Sequence, residues 1–149
     1  MPYTVYTGPN ERKPVTISDK TVGAALLPCT FVTEGATSLS QATAFGPNLR
    51  LLGNRDFYSL GQFDAVDPLK TAYASGDNGV AYVLEPGQRY LVAVAAATYT
   101  FGQELTVAAA GRAAGAASTN VVVGFAREAG AKSAGDLIVV EIAMPYVKA

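Results

Sequence analysis

The chain has 149 residues and a net charge of −1 from eleven basic and twelve acidic side chains, with one cysteine and no histidine. That size supports one domain with a moderate core. Its only adjacent basic pair is Arg12-Lys13, which argues against nucleic acid as a partner, because phosphate binding needs clustered cations. The missing histidine removes the usual general base near neutral pH, and a lone Cys29 cannot close an intrachain disulfide.

Half of the residues are hydrophobic, much of that share being Ala and Val, and there is no Trp. Small side chains let layers approach closely, so this composition suits thin sheets whose apolar surface is buried in one core, in an oligomer interface, or in both. The start, Met1-Pro2-Tyr3-Thr4-Val5-Tyr6, lacks the basic and apolar regions of a signal peptide. No window reaches the roughly 18 apolar residues of a membrane span. The expectation is a soluble protein made in a cytosol, with neither a membrane nor a nucleic acid as partner.

In chain order, residues 1–22 stand apart. Pro2, Pro9 and Pro14, the Gly8-Pro9-Asn10 break and the charged Glu11-Arg12-Lys13 leave little to pack, while Tyr3, Val5 and Tyr6 sit among β-favouring Thr residues. The segment reads as an extended N-terminal arm, with a loose tail as the alternative. Residues 23–149 read as a single β domain. Cys29–Thr33 and Ser38–Ala42 flank Glu34-Gly35 as a hairpin. Leu49–Leu52 and Asp56–Leu60 are shorter strand candidates. Asp77-Asn78-Gly79 reads as a tight hairpin turn, because Asn and Gly tolerate positive φ. Val80–Leu84 follows as a strand, Glu85-Pro86-Gly87-Gln88 as a turn, and Tyr90–Ala95 as the next strand. Thr98–Phe101, Glu104–Ala108, Val121–Ala126 and Asp136–Ala143 continue the rhythm. Gly111 and Gly115 interrupt the alanine run Ala108–Ala117, so a long helix there is not expected, and one short helix near Asp67–Ala74 is allowed. Strands at this spacing predict an all-β fold, a small β-barrel or β-sandwich.

Chemistry is hard to find. Without histidine, Ser-His-Asp and Cys-His sites cannot form in their usual shape. Cys29, inside Leu27-Pro28-Cys29-Thr30-Phe31-Val32, reads as a small buried apolar residue. Asp64-Ala65-Val66-Asp67 reads as solvated loop acids rather than a calcium site, which needs more oxygens than two carboxylates bring. Gly111-Arg112-Ala113-Ala114-Gly115 lacks the Lys-Ser/Thr ending of a phosphate loop and reads as a turn. The eight tyrosines are scattered, which suits core or interface packing with a wet hydroxyl. No enzyme, cofactor or metal is expected.

The ordered series Thr98–Val107, Gly111-Arg112-Ala113, Val122-Val123-Gly124-Phe125-Ala126 and Ala134-Gly135-Asp136-Leu137-Ile138-Val139-Val140-Glu141-Ile142 resembles the capsid decoration (cement) proteins of tailed phages. There a G-x-x-L-x-V strand precedes a G-R-A turn, an I-G-x-A strand and a closing A-G-D-x-V-x-V strand. The hairpin Leu27–Ala42 is similar to the segment that opens such domains. The resemblance covers residues 24–143, more loosely before about residue 75, and Phe45–Leu69 is longer than the pattern. It implies a β-tulip-like domain on the outer surface of a phage head, made in the bacterial cytoplasm. Its partners would be the major capsid protein, whose lattice it stabilises, and its own copies, as a trimer or alternatively a dimer. Within that picture Tyr3, Val5, Tyr6, Arg12, Lys13, Val15 and Ile17 are the capsid-binding arm, adding a strand to a partner's sheet edge. The rival readings are a tail-tube or fibre-base subunit and, from a different class, a small β enzyme or carbohydrate-binding module.

Overall fold

Runs of β-branched and aromatic residues broken by Gly and Pro leave few places for a helix. The computed structural model describes residues 5–54 and 68–149. Among these the only helical pieces are two 3-10 turns, Asn10–Arg12 and Ala109–Gly111. The strands are β1 (Thr16–Val22), β2 (Phe31–Glu34), β3 (Ser38–Gln41), β4 (Leu49–Leu52), β5 (Asn78–Val83), β6 (Arg89–Ala93), β7 (Ala97–Tyr99), β8 (Glu104–Val107), β9 (Ala113–Gly115), β10 (Val121–Ala126), β11 (Gly130–Lys132) and β12 (Leu137–Val147). The expected all-β class, with barrel closure, is what the chain adopts.

The first five strands close a barrel in the order β1-β3-β2-β4-β5, with β1 parallel to β3 and antiparallel to β5. Val22, Val32, Leu39, Leu52 and Ala81 fill its interior with Leu26 and Tyr73, and Ile17 packs against them. Because side chains alternate along a strand, the other face of the β2–β4 wall presents Phe31, Leu49 and Leu51 outward. Those three join a second cluster with Tyr90, Val92, Leu105, Ile138 and Val140 from the rest of the chain. The barrel wall is thus buried on both faces, and each large side chain there contributes roughly 1.5–3 kcal/mol of burial.

The second sheet has the order β6-β12-β10-β8-β9, and a parallel bridge between Val94 and Ala113 draws its two ends together. β7 and β11 pair separately. The turn Glu85–Gln88, with Gly87 at φ +89°, carries the chain from the barrel at β5 to the second sheet at β6. A β-bulge in β12 sets Ala143, Met144 and Pro145 opposite the single residue Val123, and the proline, which has no N–H to give, sits inside it.

Two expectations are corrected. First, residues 16–22 are not arm but β1, the strand that closes the barrel. Ile17 and Val22 lie five apart, an odd spacing that strict alternation would put on opposite faces. An extra residue in β1 between Ile17 and Lys20 returns both to the interior. Second, Asn78-Gly79 is not a hairpin turn: both residues lie within β5, opposite Thr21 and Lys20. The turn is earlier, where the Asp77 N–H donates to the Ala74 carbonyl and Gly76 has φ +91°. Gly79 is required by packing, since a Cβ there would stand 2.8 Å from Leu39 Cδ1 and 2.9 Å from Val22 Cγ2. The short helix allowed near Asp67–Ala74 is not formed over residues 68–74, where a turn leads to Tyr73, which bridges to Leu26. The strand candidate Asp56–Leu60 and the acidic pair Asp64 and Asp67 lie outside the described residues.

Candidate interaction surface

β6 is an edge strand of the second sheet, and an edge strand offers its free N–H and C=O groups to any other chain. Here the protein covers that edge itself. The Leu91 N–H donates to the Val5 carbonyl at 2.8 Å, the Thr7 N–H donates to the Arg89 carbonyl at 3.0 Å, and Tyr6 bridges to Tyr90. Further along, the Ala93 N–H donates to the Cys29 carbonyl at 2.9 Å. Residues 5–7 thus lie as a strand-like cover along an edge of their own chain.

The seven residues assigned to the arm separate accordingly. Tyr3 lies outside the described residues. Val5 is fully buried in the central cluster and is unavailable to a partner. Tyr6 is half-buried, its ring edge-on to Tyr90 with centroids 5.5 Å apart and its hydroxyl donating to the Arg12 carbonyl at 2.8 Å. Ile17 belongs to the barrel interior. Only Arg12, Lys13 and Val15 are exposed, and the Val15 carbonyl accepts from the Val83 N–H at 2.9 Å, which holds it against the barrel rim.

Arg12 and Lys13 leave the 3-10 turn beside a groove of about 520 Å³, whose opposite wall is the Glu85–Arg89 turn. Arg89 adds a third cation there, ion-paired to Glu141 at 3.4 Å. The groove is thus an open depression that brings Arg12, Lys13 and Arg89 together with the single acid Glu85.

A second exposed region lies beyond the bulge of β12. Met144, Tyr146 and Val147 are exposed, Tyr146 stacks at a tilt on Phe125 with centroids 6.5 Å apart, and Phe101 is exposed beneath the Arg127 guanidinium. The Tyr146 hydroxyl donates to the Glu104 carboxylate, and Lys148 pairs with the same carboxylate at 3.4 Å. The tyrosine hydrogen bond first, and the lysine charge after it, hold the Glu104 carboxyl below its ordinary range. The same hydrogen bond raises Tyr146.

No family model and no curated protein matches the chain. A solved structure does. The head fiber gp8.5 N base of bacteriophage phi29 superposes with a TM-score of 0.58 at 14% identity, over 92% of this chain and 100% of that one. The two share a fold.

Sequence reasoning found Arg12 and Lys13 but missed Arg89 and Glu85, which reach the groove only through the Glu85–Gln88 turn. It also missed the patch at Met144–Val147. Its signal was present: after Ala143 the chain runs on through Met144, Tyr146 and Val147 around a proline, and a proline inside a strand marks a bulge or an edge.

Proposed function

We propose that this chain is a structural protein of a phage particle, seated on the outer surface of the head as a decoration subunit or the base of a head fibre. The observation that carries the reading is the likeness to a head fibre base over nearly the whole of both chains. The likeness is compatible with either form, since that neighbour is itself the base of a head fibre. Arg12, Lys13 and Val15, with the groove beside them, make the contact with the major capsid protein and stabilise its lattice. The patch of Met144, Tyr146 and Val147 meets other copies of the chain, as a trimer. Several modest contacts held by one oligomer bind a repeating lattice tightly through avidity.

The test uses the full chain and expanded heads of the phage that encodes it. The chain is expected to saturate the heads at a fixed copy number, and Arg12→Glu with Lys13→Glu is expected to weaken binding tenfold or more, with the wild-type affinity falling as salt rises. Sedimentation should give a trimer mass that Val147→Asp reduces to that of a monomer. Absence of saturable binding to any head form sinks the proposal, and unchanged affinity in the charge-reversed protein sinks the assignment of the surface.

A further inference from the structure

A cavity of about 230 Å³ lies where residues of the barrel half, Leu27, Pro28, Thr30 and Gln41, meet Ala93, Arg112 and Leu137 of the second half. It has the room of about seven or eight liquid waters, enough for one side chain or chain end. Three sequence motifs that share no strand converge on it: Leu27 and Pro28 from the hairpin entry, Arg112 from Gly111-Arg112-Ala113, and Gly135 and Leu137 from Ala134–Ile142. Leu69 completes the apolar wall and Lys70 stands with Arg112 as the second cation.

Two cations, Arg112 and Lys70, line this cavity together. The side chains of Lys70 and Arg112 have no hydrogen bond or ion pair among the described residues. Arg112 is half-buried, with its guanidinium over Gly135, whose missing Cβ would stand 3.8 Å from Nη2. A guanidinium held against an apolar wall has lost part of its hydration, so a carboxylate arriving there meets a cation already oriented and partly stripped of water. Ala110, which also lines the cavity, has the left-handed φ of +60° that few non-glycine residues adopt.

We propose that this cavity binds a carboxylate carried on a short apolar stem, presented by a protein partner as a glutamate side chain or a chain end. The carboxylate pairs with Arg112, in the fork geometry that guanidinium offers, and with Lys70 as a point charge. Its stem lies against Leu27, Pro28, Leu69 and Leu137. The apolar wall selects an organic acid over an inorganic oxyanion. Only the identity of the presenting partner rests on the reading of the chain as a head-docking protein.

The experiment is a titration of the isotopically labelled full chain, followed by amide shifts. The probes are N-acetyl-glycyl-leucine as free acid, its carboxamide, N-acetyl-glycyl-glutamyl-glycine amide, and inorganic phosphate. Saturable shifts at Arg112, Gly135 and Leu27 are expected with one or both carboxylates. The free acid reports a chain-end ligand and the glutamyl peptide an acidic side chain. Arg112→Gln should weaken that binding at least tenfold while its unfolding midpoint stays put, because the side chain holds no other element. Three results overturn the site: no saturable shift with either carboxylate, equal binding of the carboxamide or of phosphate, or no change in Arg112→Gln. Head binding by the same variant is measured separately. A cavity that takes no carboxylate in a chain that still decorates heads defeats this proposal alone.

Discussion

At Gly111 two demands meet in one residue. Its φ is +66°, and a Cβ would stand 2.6 Å from the Phe31 carbonyl oxygen. The first demand strains any L side chain, and the second is a collision with backbone that cannot swing away. Gly76 makes a useful contrast, with φ +91° and nothing within 4 Å of its Cβ position. Gly76→Ala is expected to cost the backbone strain alone, roughly 1 kcal/mol. Gly111→Ala carries both costs, about 2–4 kcal/mol together. Urea unfolding of the two variants measures the difference directly. Equal midpoints would mean that the Phe31 strand gives way at no cost.

At the scale of elements, the N-terminal segment is a strand-like cover on β6 rather than a free arm. Removing residues 1–8 takes away the Val5 side chain, whose burial is worth roughly 1.5–3 kcal/mol, and two edge hydrogen bonds. The truncated chain should still fold, with a lower urea midpoint. Hydrogen exchange locates the effect. The Leu91 amide, which donates to Val5, should lose protection, while the Ala93 amide, which donates to Cys29, should keep protection up to the lowered global stability. Equal loss at both amides would show that the segment is not a separate cover. Removing residues 1–22 takes β1 as well and opens the barrel, so that form should not unfold cooperatively.

The legible and the hidden parts of this fold divide on physical grounds. The hairpin of β2 and β3, the strands β8 and β10, and the Pro-Gly turn at Glu85–Gln88 are local: each is set by residues close in sequence, and each was readable. β1 was hidden because its bulge breaks the alternation between Ile17 and Val22. Asn78-Gly79 misled because the glycine answers to Val22 and Leu39 across the barrel, a contact that no window of sequence contains. The same holds for surfaces. Arg12 and Lys13 are adjacent and visible as a pair. The cavity with Arg112 and Lys70 depends on segments from residues 27, 69, 112 and 135 that only the closed fold assembles.

On the scale of the whole molecule, Tyr90 ties the parts together. Its ring lies 5.5 Å from that of Tyr6 in the N-terminal segment and 5.3 Å from that of Tyr82 on the barrel, and it belongs to β6 of the second sheet. It is fully buried, with its hydroxyl donating to Gln88 Oε1 at 2.6 Å. Burial first, and then charge on Tyr82, Tyr6 and Glu85, push its pKa far above the ordinary value near 10. Burial also raises Tyr82 and Tyr99. Well below pH 10 the folded and unfolded chains both keep these protons, so stability does not depend on them. Above it the unfolded chain releases protons that the folded chain retains, and stability must fall as pH rises. For Tyr90 the fall approaches about 1.4 kcal/mol per pH unit. Tyr90→Phe keeps the ring contacts and removes one titrating group, at a cost near neutral pH of about 1 kcal/mol for the hydrogen bond. Its stability measured in urea from pH 9 to 11.5 should therefore decline less steeply than that of the native chain, by about one proton's worth of slope. The two curves should approach one another as pH rises. Parallel curves would mean that Tyr90 already ionises in the folded protein, and that the junction of barrel, sheet and N-terminal segment admits water.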